Sequence, residues 1–435
     1  MSCDFNGAEK SIDEAELLGA SAGQVRMLRG QVAFHRGAME EAIQHLEQAA
    51  KLVPVGQPGA VAARAMLALA YANAGQLPRF DEVSREVDQL SPITPEDFLF
   101  KGLLETTIRP ERGLLNLDEG IQRQDSVLAR VTRLEARANR ALVTGKVEDA
   151  ELALEDAQVA RSMLAGNALV LARSVFAHLV AAGTYEAKGR PKDSEHVLAR
   201  AGPLVKELER FSTIAFAAKA CFEYFDYVGD EEAAFAMSAQ GSQFRHAIML
   251  YRRQEFAKAL EAVERSRKLS RGFSTEQVEL AFIVPELPDG VARARAAFSK
   301  AKLDARSAWQ LTPPMILLLL GRTEEARQAY LQVRKDELPP GDQGWLSKYL
   351  DYNCGRMNGD TLLRAAGQAR PKVCDAHFIM GLWRLSEGNR FTACEHFRKC
   401  AATRAFVSWE WPWARAFLKR LEQDPSWPRW IPQNK

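Results

Sequence analysis

The 435-residue chain is 47% hydrophobic and 26% charged, with a net charge of +2. That is the composition of a folded protein and excludes the disordered and fibrous classes. The near-neutral total hides a split: residues 1–290 hold 34 Lys and Arg against 42 Asp and Glu (net −8), and residues 291–435 hold 24 against 14 (net +10).

The first stretch, MSCDFNGAEKSIDEAELLGA, is acidic and lacks the basic start and apolar run of a secretory signal. The longest evident apolar run further on is MILLLL at 315–320, well short of the ~20 residues that span a bilayer. Six cysteines without regular pairing argue against a disulfide framework. A reducing, bacterial-type cytoplasm with no membrane association is the expected setting.

Strand signals are nearly absent, and helical spacing of apolar residues runs through the chain. At 19–23, GASAG has the letters of a nucleophile elbow. That motif needs a strand before its turn, whereas the flanks read as helix, short break, helix. Ser21 is expected to cap the helix that follows it.

Residues 29–54, RGQVAFHRGAMEEAIQHLEQAAKLVP, predict a helix pair. Gly30 and Ala33 are small where the first helix meets its neighbour, and Gly37 ends that helix in a left-handed conformation. Ala42, Leu46 and Ala49 share one face of the second helix, which Pro54 stops. LALAYANAGQLPRFDEVSREVDQLSP repeats the roles with Ala68, Tyr71, Gly75 and Pro92; Gly37 to Gly75 and Pro54 to Pro92 are both 38 residues. Eroded copies follow with Gly145, Ala150, Leu154 and Ala157, then Gly189, Leu198 and Ala201, then Ala259 and Val263, then Gly321, Ala326 and Tyr330. A clean late copy carries Gly381, Gly388, Ala393, Phe397 and Cys400.

These residues resemble the tetratricopeptide repeat, whose pattern sets Gly or Ala at position 8, Ala at 20, an aromatic or Leu near 24, Ala at 27 and Pro at 32. The likeness is strongest over 25–92 and 374–402. Segments 93–130, 268–290 and 339–373 match poorly, and Arg26 and Arg64 stand where the repeat has an aromatic or Leu. The resemblance implies an all-α solenoid, a right-handed superhelix of about ten antiparallel helix pairs, because one pair buries too little core to stand alone. One array is expected over 1–270, a second over 271–408 continuing the same superhelix, and a Trp-rich cap over 409–435.

That last stretch, WEWPWARAFLKRLEQDPSWPRWI, holds five of the eight tryptophans. A helix from about Pro412 sets Trp413, Ala416, Phe417 and Leu421 on one face, and DPSWPRWIP cannot continue it. Trp427, Trp430 and Ile431 are expected to fold back over the open end of the stack. Roughly the last 60 residues, with ACEHFRKCAATRAF and WARAFLKRLEQDPSWPRWI, also resemble the end of tetratricopeptide tails on some large bacterial serine/threonine protein kinases. This implies a regulatory tail or a free-standing relative, without the HRD loop, DFG or glycine-rich loop of a catalytic kinase domain.

Chemistry-bearing motifs are few. Cys374, His377, Cys394, His396 and Cys400 crowd the last repeat, but the C-x-H pair lies at i, i+2 on a helix and diverges, so packing is expected instead of a metal site. Acidic EDAE at 148–151 reads as a solvated helix face. No cofactor, metal or catalytic group is expected.

The repeat resemblance implies a concave groove lined by first helices, with Gln31, His35, Asn73, Asn139, Glu223, Tyr227 and Arg252 at lining positions. Mixed polar side chains there suit an extended or helical protein segment. No Lys-Asn-Lys-Arg set is present to clamp a terminal carboxylate. The expected function is a non-catalytic protein-binding scaffold or adaptor, a regulatory partner or tail of a signalling or defence effector; the alternative is nucleic-acid association through the basic C-terminal third.

Overall fold

A computed structural model describes residues 5–269, 282–294, 311, 313–338 and 343–432. The described residues form helices and turns with no strand, so the expected all-α repeat architecture holds. By contacts the chain falls into two compact units, one of residues up to 140 with 148–177, the other of residues 141–147 with 178 onward.

The first unit runs through α1 (Phe5–Leu17), α2 (Ala22–Arg36), α3 (Met39–Leu52), α4 (Ala60–Asn73), α5 (Leu77–Gln89), α6 (Pro95–Ile108) and α7 (Pro110–Arg123). It takes in most of α8 (Val127–Thr144) and α9 (Val147–Met163), and half of α10 (Ala168–Ala187). Ser21 caps α2 in a capping box: its Oγ accepts from Gln24 N at 3.3 Å. Gly37 closes the same helix at φ +81°, where a side chain would be strained.

Gly30 is fixed by contact rather than by φ. A Cβ there would lie 2.6 Å from Leu46 Cγ, so α2 and α3 approach closely only because the position is glycine. Ala42, Leu46 and Ala49 are fully buried on the facing side of α3.

Two departures from the repeat pattern have physical accounts. Arg64, standing in place of an apolar residue, is buried in α4 and donates to the carbonyls of Ala50, Val53 and Ala60 while pairing with Glu86. It satisfies carbonyls that the end of α3 would otherwise leave unmade. The poorly matching stretch 93–130 contains the same close helix pair, α6 and α7. A Cβ on Gly102 would meet Leu117 Cγ at 2.7 Å, and one on Gly113 would meet Thr106 N at 2.4 Å. Here the small residue sits on both helices, a variation that the spacing of the other copies does not announce.

The second unit holds α11 (Pro191–Leu208), α12 (Ala215–Val228), α13 (Glu231–Gly241), α14 (Gln243–Arg252) and α15 (Phe256–Leu269). After a 3₁₀ turn, Val284–Glu286, come α16 (Pro313–Leu319), α17 (Thr323–Leu331), α18 (Gln343–Asn353), α19 (Gly359–Ala366), α20 (Arg370–Ser386), α21 (Arg390–Ala402) and α22 (Glu410–Gln423). Much of the poorly matching stretch 268–290 lies outside the described residues.

One sequence expectation needs correction. α10 is 20 residues long and apolar enough by length and composition to cross a membrane, longer than any run noted above; Arg173 and His178 interrupt it to the eye. In the structure 83% of its apolar window is buried inside the protein, the environment of a core helix.

The aromatic C-terminal element caps the second unit as expected. α22 starts at Glu410, with Pro412 in its first turn, and Trp413, Ala416 and Phe417 are fully buried. Trp427 and Ile431 fold back and are buried as well. Trp413 packs edge-on against Tyr251 and Phe282, and Phe417 lies against Phe378, Phe397 and Trp427. Trp430 stays half-exposed and donates from Nε1 to Leu319 O at 2.9 Å.

Candidate functional site

The groove candidates divide by unit. In the first, His35, Asn73 and Asn139 are exposed and Gln31 is half-buried. His35 stacks edge-on against Phe34 and lies within electrostatic reach of Arg173, 138 positions along the chain on α10. Desolvation and that guanidinium together hold its imidazole below the ordinary histidine range. Arg173 in turn pairs with Glu135 of α8 at 2.9 Å. His35 on α2 is thus near enough to feel the Arg173 guanidinium on α10, which is itself paired with Glu135 of α8. Asn73 is turned back on its own helix, donating to Leu69 O at 2.8 Å.

In the second unit Glu223, Tyr227 and Arg252 are 8%, 1% and 3% exposed. What covers them includes the C-terminal segment of the same chain. Arg252 donates to Asp226 Oδ1 at 2.6 Å and to Pro412 O at 3.2 Å. Arg415 reaches the same Asp226 carboxylate at 2.6 Å, and Arg404 donates to Tyr227 O at 2.7 Å while lying over the Tyr227 ring. Arg245, within 4.0 Å of Glu223, donates to Phe406 O at 3.1 Å.

Further along, Lys419 pairs with Glu231 at 2.7 Å, and Glu286 accepts from Tyr251, Arg420 and Trp427. Arg390 donates to three tail carbonyls, those of Trp427, Pro428 and Ile431. Burial alone would raise the Asp226 carboxyl, but Arg252 and Arg415 outweigh it and hold the group below its usual range. Arg415, desolvated and facing Arg252, falls to about 10. Arg252 and Tyr227 thus bond directly to the tail and Glu223 stands beside Arg245, which does so as well; no local sequence signal announces an occupant some 160 residues away.

The cysteine and histidine cluster forms two separate pairs across α20 and α21. Cys374 and Cys400 bring their sulfurs to 3.2 Å in the core, and burial raises both thiols. His377 and His396 meet Nδ1 to Nδ1 at 3.2 Å. Cys394 stands apart, against Arg398. No group of three or more metal-capable side chains converges among the described residues.

Nearby, Glu410 is buried, where desolvation and then Asp375 push its carboxyl well above the ordinary range. Asp375 also accepts from Trp345 Nε1 at 3.2 Å. Asp375 on α20 is half-buried, and Glu410 on α22 lies beside it and the Cys374 thiol.

No protein-family profile and no curated protein matches the chain. Among solved structures it is similar to the human IFIT1 dimer with PPP-AAAA, at 14% identity and a TM-score of 0.40, covering 93% of this chain and 95% of that one. It is also similar to the apo form of RapI (10% identity, TM-score 0.38, covering 89% and 98%) and to yeast Tom70 (11%, 0.29, 94% and 98%).

Proposed function

We propose that the chain is a non-catalytic scaffold that holds a protein segment on the polar face of its first unit, around Gln31, His35, Asn139, Glu135 and Arg173. The observation that carries the reading is the way the second unit holds the chain's own tail. Guanidinium groups donate to backbone carbonyls, carboxylates pair with tail cations, and tryptophans fill the apolar space between helices. Helix faces of this construction recognise a helical segment followed by an irregular one, which is the chemistry of peptide binding to a groove.

A protein partner is favoured over nucleic acid because five cations of the basic C-terminal third are engaged internally: Arg390, Arg404, Arg415, Lys419 and Arg420 all bond to the chain's own carbonyls or carboxylates. The finer form of the proposal is a regulatory partner or tail of a signalling or defence effector, which the kinase-tail resemblance of the C-terminal block supports. Free cysteines are consistent with a reducing, cytoplasmic setting.

The test is affinity capture from the native cell with His35→Ala/Arg173→Ala against wild type. These positions are exposed or half-exposed, so the fold tolerates the change. Loss of specific partners from the variant supports the face; identical partner recovery from both proteins defeats it.

A further inference from the structure

We propose that the cleft bounded by α18, α19, α20 and α21 binds a small molecule carrying an oxyanion, such as a phosphate monoester. The cleft measures about 490 Å³, within the roughly 300–1,000 Å³ range of small-molecule sites.

Its cationic side is built from three elements. Lys399 on α21 makes no ion pair among the described residues and is exposed at the rim. Arg384 on α20 lines the cleft while one of its nitrogens pairs with Glu387 at 2.8 Å. α19 begins in the cleft at Gly359: Asn358 caps the backbone N–H of Thr361 at 2.9 Å, while the N–H groups of Gly359 and Asp360 make no backbone hydrogen bond among the described residues. Unmade donors at a helix start attract an anion, and here the start faces side-chain cations across a cleft.

The histidine pair supplies the second observation. Both rings line the cleft, and His377 is 9% exposed. With the Nδ1 atoms 3.2 Å apart, one ring donates to the other, so the pair accepts at most one further proton. Neither Nε2 makes a hydrogen bond within the described protein. Burial, then His396 and Lys399, press the His377 imidazole down to about 4; burial, then Lys399 and Arg384, lower His396. The rings thus sit neutral in a positive field, and a bound anion reverses that field and draws one proton onto the pair.

The opposing charges are Asp360 on the first turn of α19 and Glu395 on α21, which acts on His396; Tyr352 of α18 is held neutral, its hydroxyl pushed up to about 12 by burial. Asp360 disfavours a second negative group beside it, which restricts the ligand to one oxyanion. Tyr352, Leu363 and Met380 line the remaining volume. They provide an apolar and aromatic wall for the body of the molecule, so a bare inorganic ion leaves most of the cleft unfilled.

The experiment is calorimetric titration of the full chain at low ionic strength with sodium sulfate and with phenyl phosphate. Sulfate keeps its charge between pH 7.5 and 5.5, so its pH dependence reports the protein. The expected results are tightening of sulfate binding by about threefold or more as pH falls across that range, flattened in His396→Gln. Lys399→Met should weaken both probes by about tenfold. Phenyl phosphate should bind about tenfold more tightly than sulfate at pH 7.5. Lys399 is exposed, so its replacement leaves the fold intact. Absence of binding by either probe, or equal affinity in wild type and Lys399→Met, overturns the site. Phenyl phosphate binding no tighter than sulfate overturns the small-molecule assignment.

Discussion

Replacing Trp413 by alanine removes the side chain that joins the cap to the helices beneath it. Its ring centroid lies 5.2 Å from Tyr251, 5.1 Å from Phe282 and 5.6 Å from Phe417, and none of its surface is exposed. Burying a tryptophan withdraws ~150–250 Å² from water, worth about 4–6 kcal/mol at 25 cal/mol per Å², of which alanine keeps a small share. The indole N–H has no hydrogen-bond partner among the described residues, so that figure carries no hydrogen-bond contribution. The expected destabilisation is therefore about 3–5 kcal/mol, the usual range for a large aromatic truncated in a core. Urea unfolding followed by circular dichroism reads it: at a slope of roughly 1–3 kcal/mol per M, the midpoint of the transition that includes the cap falls by at least about 1 M. Phe391→Ala, at a side chain 77% exposed on α21, serves as the control and should move the midpoint negligibly. A Trp413→Ala midpoint within about 0.3 M of wild type would show that the tail does not seal the core as described.

Gly381→Ala should cost about 1–3 kcal/mol, because the new Cβ would stand 2.6 Å from the Phe397 ring, whereas Gly344→Ala, with nothing within 4 Å, should be neutral or slightly stabilising; thermal melts compare the two. Asp226→Asn leaves Arg252 and Arg415 buried around a neutral group and should destabilise by about 3–5 kcal/mol; retention of wild-type stability would mean that the two guanidiniums do not depend on that carboxylate. Two variants should show opposite pH dependence of stability. The folded carboxyl of Glu410 lies above its ordinary 4.5, so its contribution is complete below that pH and is lost as pH rises, at up to about 1.4 kcal/mol per unit; Glu410→Gln removes this loss. His377 falls from 6.5 to about 4, so its contribution is present above 6.5 and roughly 3 kcal/mol is lost as pH falls through that window; His377→Gln removes that loss instead. Denaturant midpoints between pH 4.5 and 7 should therefore rise with pH more steeply in Glu410→Gln than in wild type and less steeply in His377→Gln. Slopes equal to wild type in both contradict the burial of these groups.

The repeat was legible where a residue type is required by geometry. Gly37 needs a positive φ, Gly30 and Gly381 need contact without a Cβ, and Pro54 ends a helix, so their spacing carries the architecture. Segment 93–130 was not legible because its close contact is shared between Gly102 and Gly113 on the two helices, a pattern with no counterpart in the other copies. Arg64 breaks the apolar pattern yet is buried, since carbonyl bonds replace what an apolar side chain would have supplied. The cap was legible from helical spacing of Trp413, Ala416, Phe417 and Leu421 alone. Register along a helix put Tyr227 and Arg252 at groove positions, but what fills the space beside them is a long-range fact. The histidine cleft escaped because Cys394 and His396, two positions apart, suggested a divergent pair, whereas the actual partner of His396 is His377 on the preceding helix.

Amide hydrogen exchange over residues 404–432 examines the central structural statement most directly, since a tail that completes the second unit and a tail that lies free for a partner differ in backbone protection. Slow exchange across α22, comparable with that of α20 and α21, is the predicted result. Exchange within about tenfold of unstructured-peptide rates would contradict it, and with it the reading of the tail as the intramolecular example of how these helices hold a protein segment.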